Sequence, residues 1–154
     1  MKIVEKKVLS LEEKEVLREL WNNEYPVRLH LKTIEDFELY LNGLSNTKHY
    51  LLFDDSDEII GWTFTFLREG EDWFAIILNS KIQGKGNGSL LINEIKKNKT
   101  SLNGWVIDQE NEVKQNNELY KSPMPFYTKN GFTILSETRI ENEKMSAVKI
   151  NWKS

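Results

Sequence analysis

Gln83, three closely spaced glycines, the tyrosine of "FYTKNGF" and a few carboxylates are the residues here whose types and spacing could do chemistry. In "ILNSKIQGKGNGSLLINEIKK", residues 76 to 96, Gly84, Gly86 and Gly88 stand between an apolar run and an amphipathic one. Glycines this dense cost chain entropy on folding. Three readings compete. The first is a plain turn. The second is a dinucleotide fingerprint, G-x-G-x-x-G/A, approximated by Gly84, Gly86 and Ser89, with Asp108 about 20 residues on where a ribose-binding acid would sit. Against it, the third position is serine, and Gly84 falls five residues after the apparent strand end at Asn79. The third is a phosphate cradle. The first turn of a helix has free N–H groups and a positive dipole end, and glycines let a pyrophosphate reach them.

The elements that would position these residues follow from periodicity. Residues 2 to 9 read as a strand. Ser10 and Glu13 form a capping box, and Val16, Leu17, Leu20 and Trp21 share one face of the helix behind it. Thr33 with Asp36 starts a second helix carrying Ile34, Phe37, Tyr40, Leu41 and Leu44. Strand-like runs at 49–53, 58–67 and 72–79, joined by short polar links, make an antiparallel meander. A helix over about 88–98 and a strand at 102–108 follow, then a polar stretch, Asp108 to Lys121, that resists assignment. In "SPMPFYTKNGF", Ser122 is the expected N-cap, Pro123 the first helical residue and Gly131 the C′ residue. Strands at about 132–140 and 145–152 finish the chain. The order β-α-α-β-β-β-α-β-α-β-β describes one mixed α/β (α+β) domain over residues 1–154.

Composition narrows the function classes. The 154 residues suit one domain with its own core, and a net charge of −3 without a basic block argues against nucleic acid. There is no cysteine, hence no disulfide, thiol nucleophile or thiolate ligand, and two distant histidines make a poor metal set. No run approaches a membrane span, and no apolar leader is visible, so the expected location is the cytoplasm.

The pattern Gln83-x-x-Gly86-x-Gly88, followed downstream by Tyr127-x-Lys129-x-Gly131-Phe132, resembles the GNAT acetyltransferase superfamily, as does the element order. That resemblance implies a single domain with a central, mostly antiparallel sheet flanked by helices. It implies an acetyl-coenzyme A-dependent N-acetyltransferase in which a primary amine, on a small molecule or a peptide, attacks the thioester directly. The alternative is a coenzyme A-binding sensing module without catalysis. No metal, nucleic acid or membrane partner is implied, and a homodimer stays open.

Residue by residue, the resemblance implies that the strand before the loop is bulged and splays from the next one. Ile77, Leu78 and Asn79 would line the pantetheine arm through backbone groups, with the Leu78 N–H polarising the thioester carbonyl. Gln83, Gly84, Lys85, Gly86, Asn87, Gly88 and Ser89 would surround the pyrophosphate. Tyr127 matches the general-acid tyrosine. The amine must lose a proton, and the matching carboxylate position is Asp72, with Asp108 next and Glu24, His30 and Glu110 behind them. Tyr25 and Arg28, in the linker between the first two helices, are candidate acceptor contacts. Tyr120 stands where many members carry asparagine, and the 108–121 segment reads either as a lid over the acceptor site or as a surface loop.

Overall fold

The computed structural model describes all 154 residues. Strand β1 (Lys2–Lys6) leads to helix α1 (Leu11–Glu24), a single 3-10 turn at Val27–Leu29, and helix α2 (Ile34–Asn42). The meander is β2 (Ser45–Phe53), β3 (Ile59–Arg68) and β4 (Glu71–Leu78). Then come α3 (Asn87–Lys96), β5 (Ser101–Ile107), α4 (Met124–Lys129), β6 (Thr133–Glu141) and β7 (Ser146–Lys153). No helix is long and apolar enough to cross a membrane.

Local signals set most boundaries. The Ser10 hydroxyl accepts from the Glu13 N–H and the Glu13 carboxylate accepts from the Ser10 N–H, a complete capping box. The Thr33 hydroxyl likewise caps α2 through Asp36. Gly131 has φ +87°, the left-handed turn expected after α4. Three boundaries and one buried face differ from the sequence reading. β1 stops at Lys6, where its pairing with His49 ends. β2 begins at Ser45 because Ser45 still pairs with Leu67. Val16 is exposed, and Leu17, Leu20 and Trp21 carry the buried face of α1. Pro123, not Ser122, is the α4 cap residue, although the Ser122 hydroxyl still accepts from the Met124 N–H.

The seven strands form one sheet in the order β1-β2-β3-β4-β5-β7-β6. Every neighbouring pair is antiparallel except β4 and β5. Helices α1 and α2 cover one face, over Leu51, Trp62, Phe64, Phe66, Trp73 and Ile77. Helices α3 and α4 cover the other, over Leu52, Phe74, Val106 and Ile150. The alternation of side chains along each strand produces these two faces. It is interrupted at three places, two between β2 and β3 and one between β6 and β7, and the one next to β4 bears on the site. Leu52 pairs with Gly61 and Phe53 with Ile59, so Ile60 is an extra residue, a bulge that turns it onto the α3 face. The bulge expected in β4 is therefore in β3. Along β4 the register runs unbroken from Gly61–Leu78 to Arg68–Glu71.

His49, on β2, is buried under α1 and α2, and its Nδ1 accepts from the Trp62 indole N–H at 3.1 Å. Burial pushes its pKa down to about 4. The native state thus binds the proton less readily than the unfolded chain, whose histidine titrates near 6.5. The associated stability is complete above pH ~6.5 and disappears as pH falls towards 4. Urea unfolding at pH 7 and pH 4.5 should show a loss of about 2–3 kcal/mol that His49→Gln removes.

Candidate active site

The site is built on a fault in the sheet. β4 and β5 run parallel but pair at one position, Trp73 with Asn103. Beyond it, towards their C-terminal ends, they have no ladder. The backbone of β4 there has lost its partner on one side. The Asn79 N–H donates to Ile60 on β3. By the alternation of an antiparallel ladder, the N–H and C=O of Leu78 point away from β3, into the opening. The Leu78 carbonyl is taken by the Gln83 side-chain amide at 3.0 Å, and the Leu78 N–H is left facing the opening. The same parity turns the Ile77 N–H and C=O towards β3.

The glycine loop closes the end of that opening. After a 3-10 turn, Ser80–Ile82, the chain passes Gly84 at φ +78° and Gly86 at φ +86° and enters α3. Gly86 is the N-cap, with no side-chain cap and no acidic residue in the first turn, so the first N–H groups of α3 are free for an anion. A Cβ on Gly86 would meet no atom within 4 Å, so its side chain is excluded by φ and the space before the helix end is empty of protein. Gly88 serves differently. A Cβ there would stand 2.8 Å from the Phe126 ring and 2.9 Å from the Leu78 side chain. The Asn87 side chain also turns inward, onto the Ile82 carbonyl. Two of the seven expected pyrophosphate residues thus hold the loop against the core, one by its lack of a side chain and one by its amide.

Tyr127, on α4, is buried, with its ring edge-on to Phe74, Phe126 and Phe132 at 5.9, 5.1 and 5.7 Å. Burial raises its pKa, and the Tyr120 phenol raises it further, so it holds its proton at any working pH. Tyr25, at the end of α1 on the opposite face of the sheet, is pushed up by burial first and then by Tyr120 and Tyr127.

The acids are distributed unevenly. Asp72 lies at the closed end, beside the single rung, with Lys99 at 3.0 Å. It is six residues from Leu78, roughly 20 Å along a strand. The shared face read from parity is correct, but the depth along the strand separates them. Asp108 is at the open end, gripped by both Nη atoms of Arg139 at 2.8 and 3.1 Å. Those hydrogen bonds hold its carboxyl below the ordinary range, the reverse of what a base needs. Arg28 is engaged too, by Glu112 at 2.6 Å and the Glu143 carbonyl at 3.2 Å. The Nε2 of His30 is buried without a partner.

The 108–121 stretch is an ordered hairpin. Val113 bridges Leu119, Lys114 and Glu118 close the turn, and Asn117 sits at φ +68°. Its Val113 carbonyl accepts from the Val27 N–H, Lys114 pairs with Glu24, Glu112 with Arg28, and Gln115 with Asn23. It therefore lies over the α1 end and the following linker. The sequence reading passed over Glu112, Lys114 and the buried Tyr120 as members of this wall. The flanking Val113 and Leu119 about an Asn-Asn tip were the available signal.

Comparisons with known proteins decide the family. The family model for an acetyltransferase (GNAT) domain matches residues 45–134. The chain belongs to the GNAT acetyltransferase family. The matched span runs from the start of β2 to the start of β6, so it holds the opening, the glycine loop and α4 and leaves out α1 and α2. No curated protein sequence matches. Among solved structures, an aminoglycoside 6'-N-acetyltransferase complexed with coenzyme A is similar, at TM-score 0.74 and 17% identity over 99% of this chain and 97% of that one. An aminoglycoside 6'-N-acetyltransferase from Enterococcus faecium has TM-score 0.72 at 17% identity, covering 99% and 97%. A spermidine N-acetyltransferase chimera from Vibrio cholerae has TM-score 0.65 at 17% identity, covering 99% and 96%. These likenesses show the fold of this acetyltransferase.

The close approach at Gly88 gives a test of the loop's packing role. Gly88→Ala should lower stability by about 1–3 kcal/mol in urea unfolding, as overpacking does. Lys85→Ala, in the exposed part of the same loop, should change it by less than about 0.5 kcal/mol.

Proposed function

We propose that this acetyltransferase moves an acetyl group from acetyl-coenzyme A to a primary amine by direct attack, with no covalent enzyme intermediate. The observation that carries the reading is the unpaired Leu78 N–H in the β4–β5 opening, beside a glycine-capped helix start. The opening suits an extended pantetheine arm, and the free N–H groups of α3 suit a pyrophosphate. When bound, the thioester supplies an activated acyl carbon. Gln83, Gly84, Lys85, Gly86 and Ser89 hold the phosphates in this reading, with Asn87 and Gly88 supporting the loop. Ile77 and Asn79 fix the strand end on either side of Leu78. The Leu78 N–H donates to the carbonyl oxygen as negative charge develops there. Tyr127 donates a hydrogen bond to the departing sulfur. With a pKa above that of a thiol, near 8.5, it stabilises the thiolate without surrendering its proton outright, and the proton that the amine nitrogen sheds as the C–N bond forms and the C–S bond breaks passes to water in the opening. Tyr25 lines the acceptor side.

A thermal-shift titration tests the cofactor half. Acetyl-coenzyme A at 100 times its dissociation constant should add about 2.7 kcal/mol, which is several degrees. Gly86→Glu, which places a carboxylate at the helix end, should abolish the shift while leaving the fold largely intact. An undiminished shift in that variant overturns the cradle.

Thiol release with a panel of amines tests the chemistry. Tyr127→Phe should lower kcat by roughly 10²–10⁴-fold with the cofactor shift retained. Binding without turnover by the unaltered protein, across the whole panel, would instead favour a coenzyme A-sensing module.

A further inference from the structure

The ion pair between Glu24 and Lys114 has no part in the reading above, and its placement calls for one. Glu24 is the last residue of α1, and its Oε2 accepts from the Ser80 N–H at 3.0 Å. Ser80 is two residues beyond Leu78, whose N–H faces the opening. Glu24 is therefore a carboxylate tied directly to the strand end where the acyl group would lie. Its other oxygen, Oε1, meets the Lys114 ammonium at 3.4 Å, and the two side chains are 10% and 12% exposed.

Charges so sequestered are compensated by each other or not at all, and a pair of this kind contributes little net stability. Another cation at Glu24 could replace the ammonium without leaving the carboxylate uncompensated. The tip of the hairpin that carries Lys114 is attached to the body by one backbone bond, Val27 N–H to Val113, and by side-chain contacts at its edges, while Tyr120 anchors its base in a cluster with Ile107 and Ala147. The site is thus a carboxylate fixed at the strand end with a single lysine seated on it.

We propose that Glu24 is the ammonium-binding site for the acceptor, and that Lys114 occupies it in the free protein as a built-in surrogate for that amine. An incoming primary ammonium takes the carboxylate, and the hairpin tip moves away with Lys114. The acceptor class is then a cationic primary amine on a flexible aliphatic stem, as lysine itself presents. This assignment rests on the acetyl-transfer reading for its purpose but not for its test, because amine binding is measured without cofactor.

The probe is n-butylammonium, with n-butanol as the neutral control, titrated into the full chain and followed by NMR. Lys114→Met removes the surrogate and should bind butylammonium at least tenfold more tightly than the unaltered protein. The charge-neutral double variant, Glu24→Gln with Lys114→Met, should lose that binding, and butanol should bind none of them. Hydrogen exchange at the Val27 amide gives a second readout that needs no variant at position 114. Saturating butylammonium should speed it in the unaltered protein and leave it unchanged in Glu24→Gln. A purely structural pair predicts the opposite for Lys114→Met, a weaker fold with no gain in amine affinity. Affinity within twofold of the unaltered protein, or binding that survives in the double variant, overturns the proposal. If amine binding follows Glu24 while acetyl-coenzyme A shifts no protein, the amine site stands and the acetyl-transfer reading falls. If the cofactor binds and the amine ignores Glu24, the reverse holds.

Discussion

A strand in the middle of a sheet normally spends its backbone hydrogen bonds on both neighbours, and β4 does so for only part of its length. Unpaired N–H and C=O groups in a protein interior are costly unless something takes them. Here β4 keeps its full ladder to β3 and gives up β5 after one rung, so the deficit is confined to a single edge. Gln83 takes up the Leu78 carbonyl. The remaining donor faces a cleft that the glycine loop, α4 and the end of α1 surround. The other features of the site are ways of reaching, lining or covering that edge.

The two helical layers divide the work accordingly. The α3–α4 layer supplies the helix end, the close-packed Gly88 and the buried Tyr127. The α1–α2 layer supplies Glu24, Tyr25 and the linker on which the 108–121 hairpin rests. The family match covers the first layer and omits the second. The physical reason is visible in the contacts. The first layer is held by backbone geometry at a few glycines, and the second by ion pairs and rings that many side chains could supply.

What was legible in the sequence was local. The capping box, the order of the meander, the glycine loop and the left-handed Gly131 depend on residues within a few positions of one another, and each appeared where the spacing put it. What was not legible depended on pairing between distant strands. Parity placed Asp72 on the correct face but could not say that its strand touches β5 beside it and parts company further on. The bulge was assigned to β4 and lies in β3, because one extra residue at Ile60 shows only once β2 is alongside. Asp108 and Arg28 read as free charges until Arg139 and Glu112, 31 and 84 residues away in sequence, were found against them. The hairpin was hidden by its polarity, since its tip is held by ion pairs and Tyr120 alone packs its base into an apolar cluster.

The single rung between Trp73 and Asn103 has a mechanical side. The sheet is two stiff plates, β1 to β4 and β5 to β6, joined along one short seam. On the α1 side of that seam the indoles of Trp73 and Trp105 lie 5.3 Å apart, centre to centre. They act as a spacer between the plates. A smaller side chain at either position would leave a gap at the seam, where the two plates begin to part.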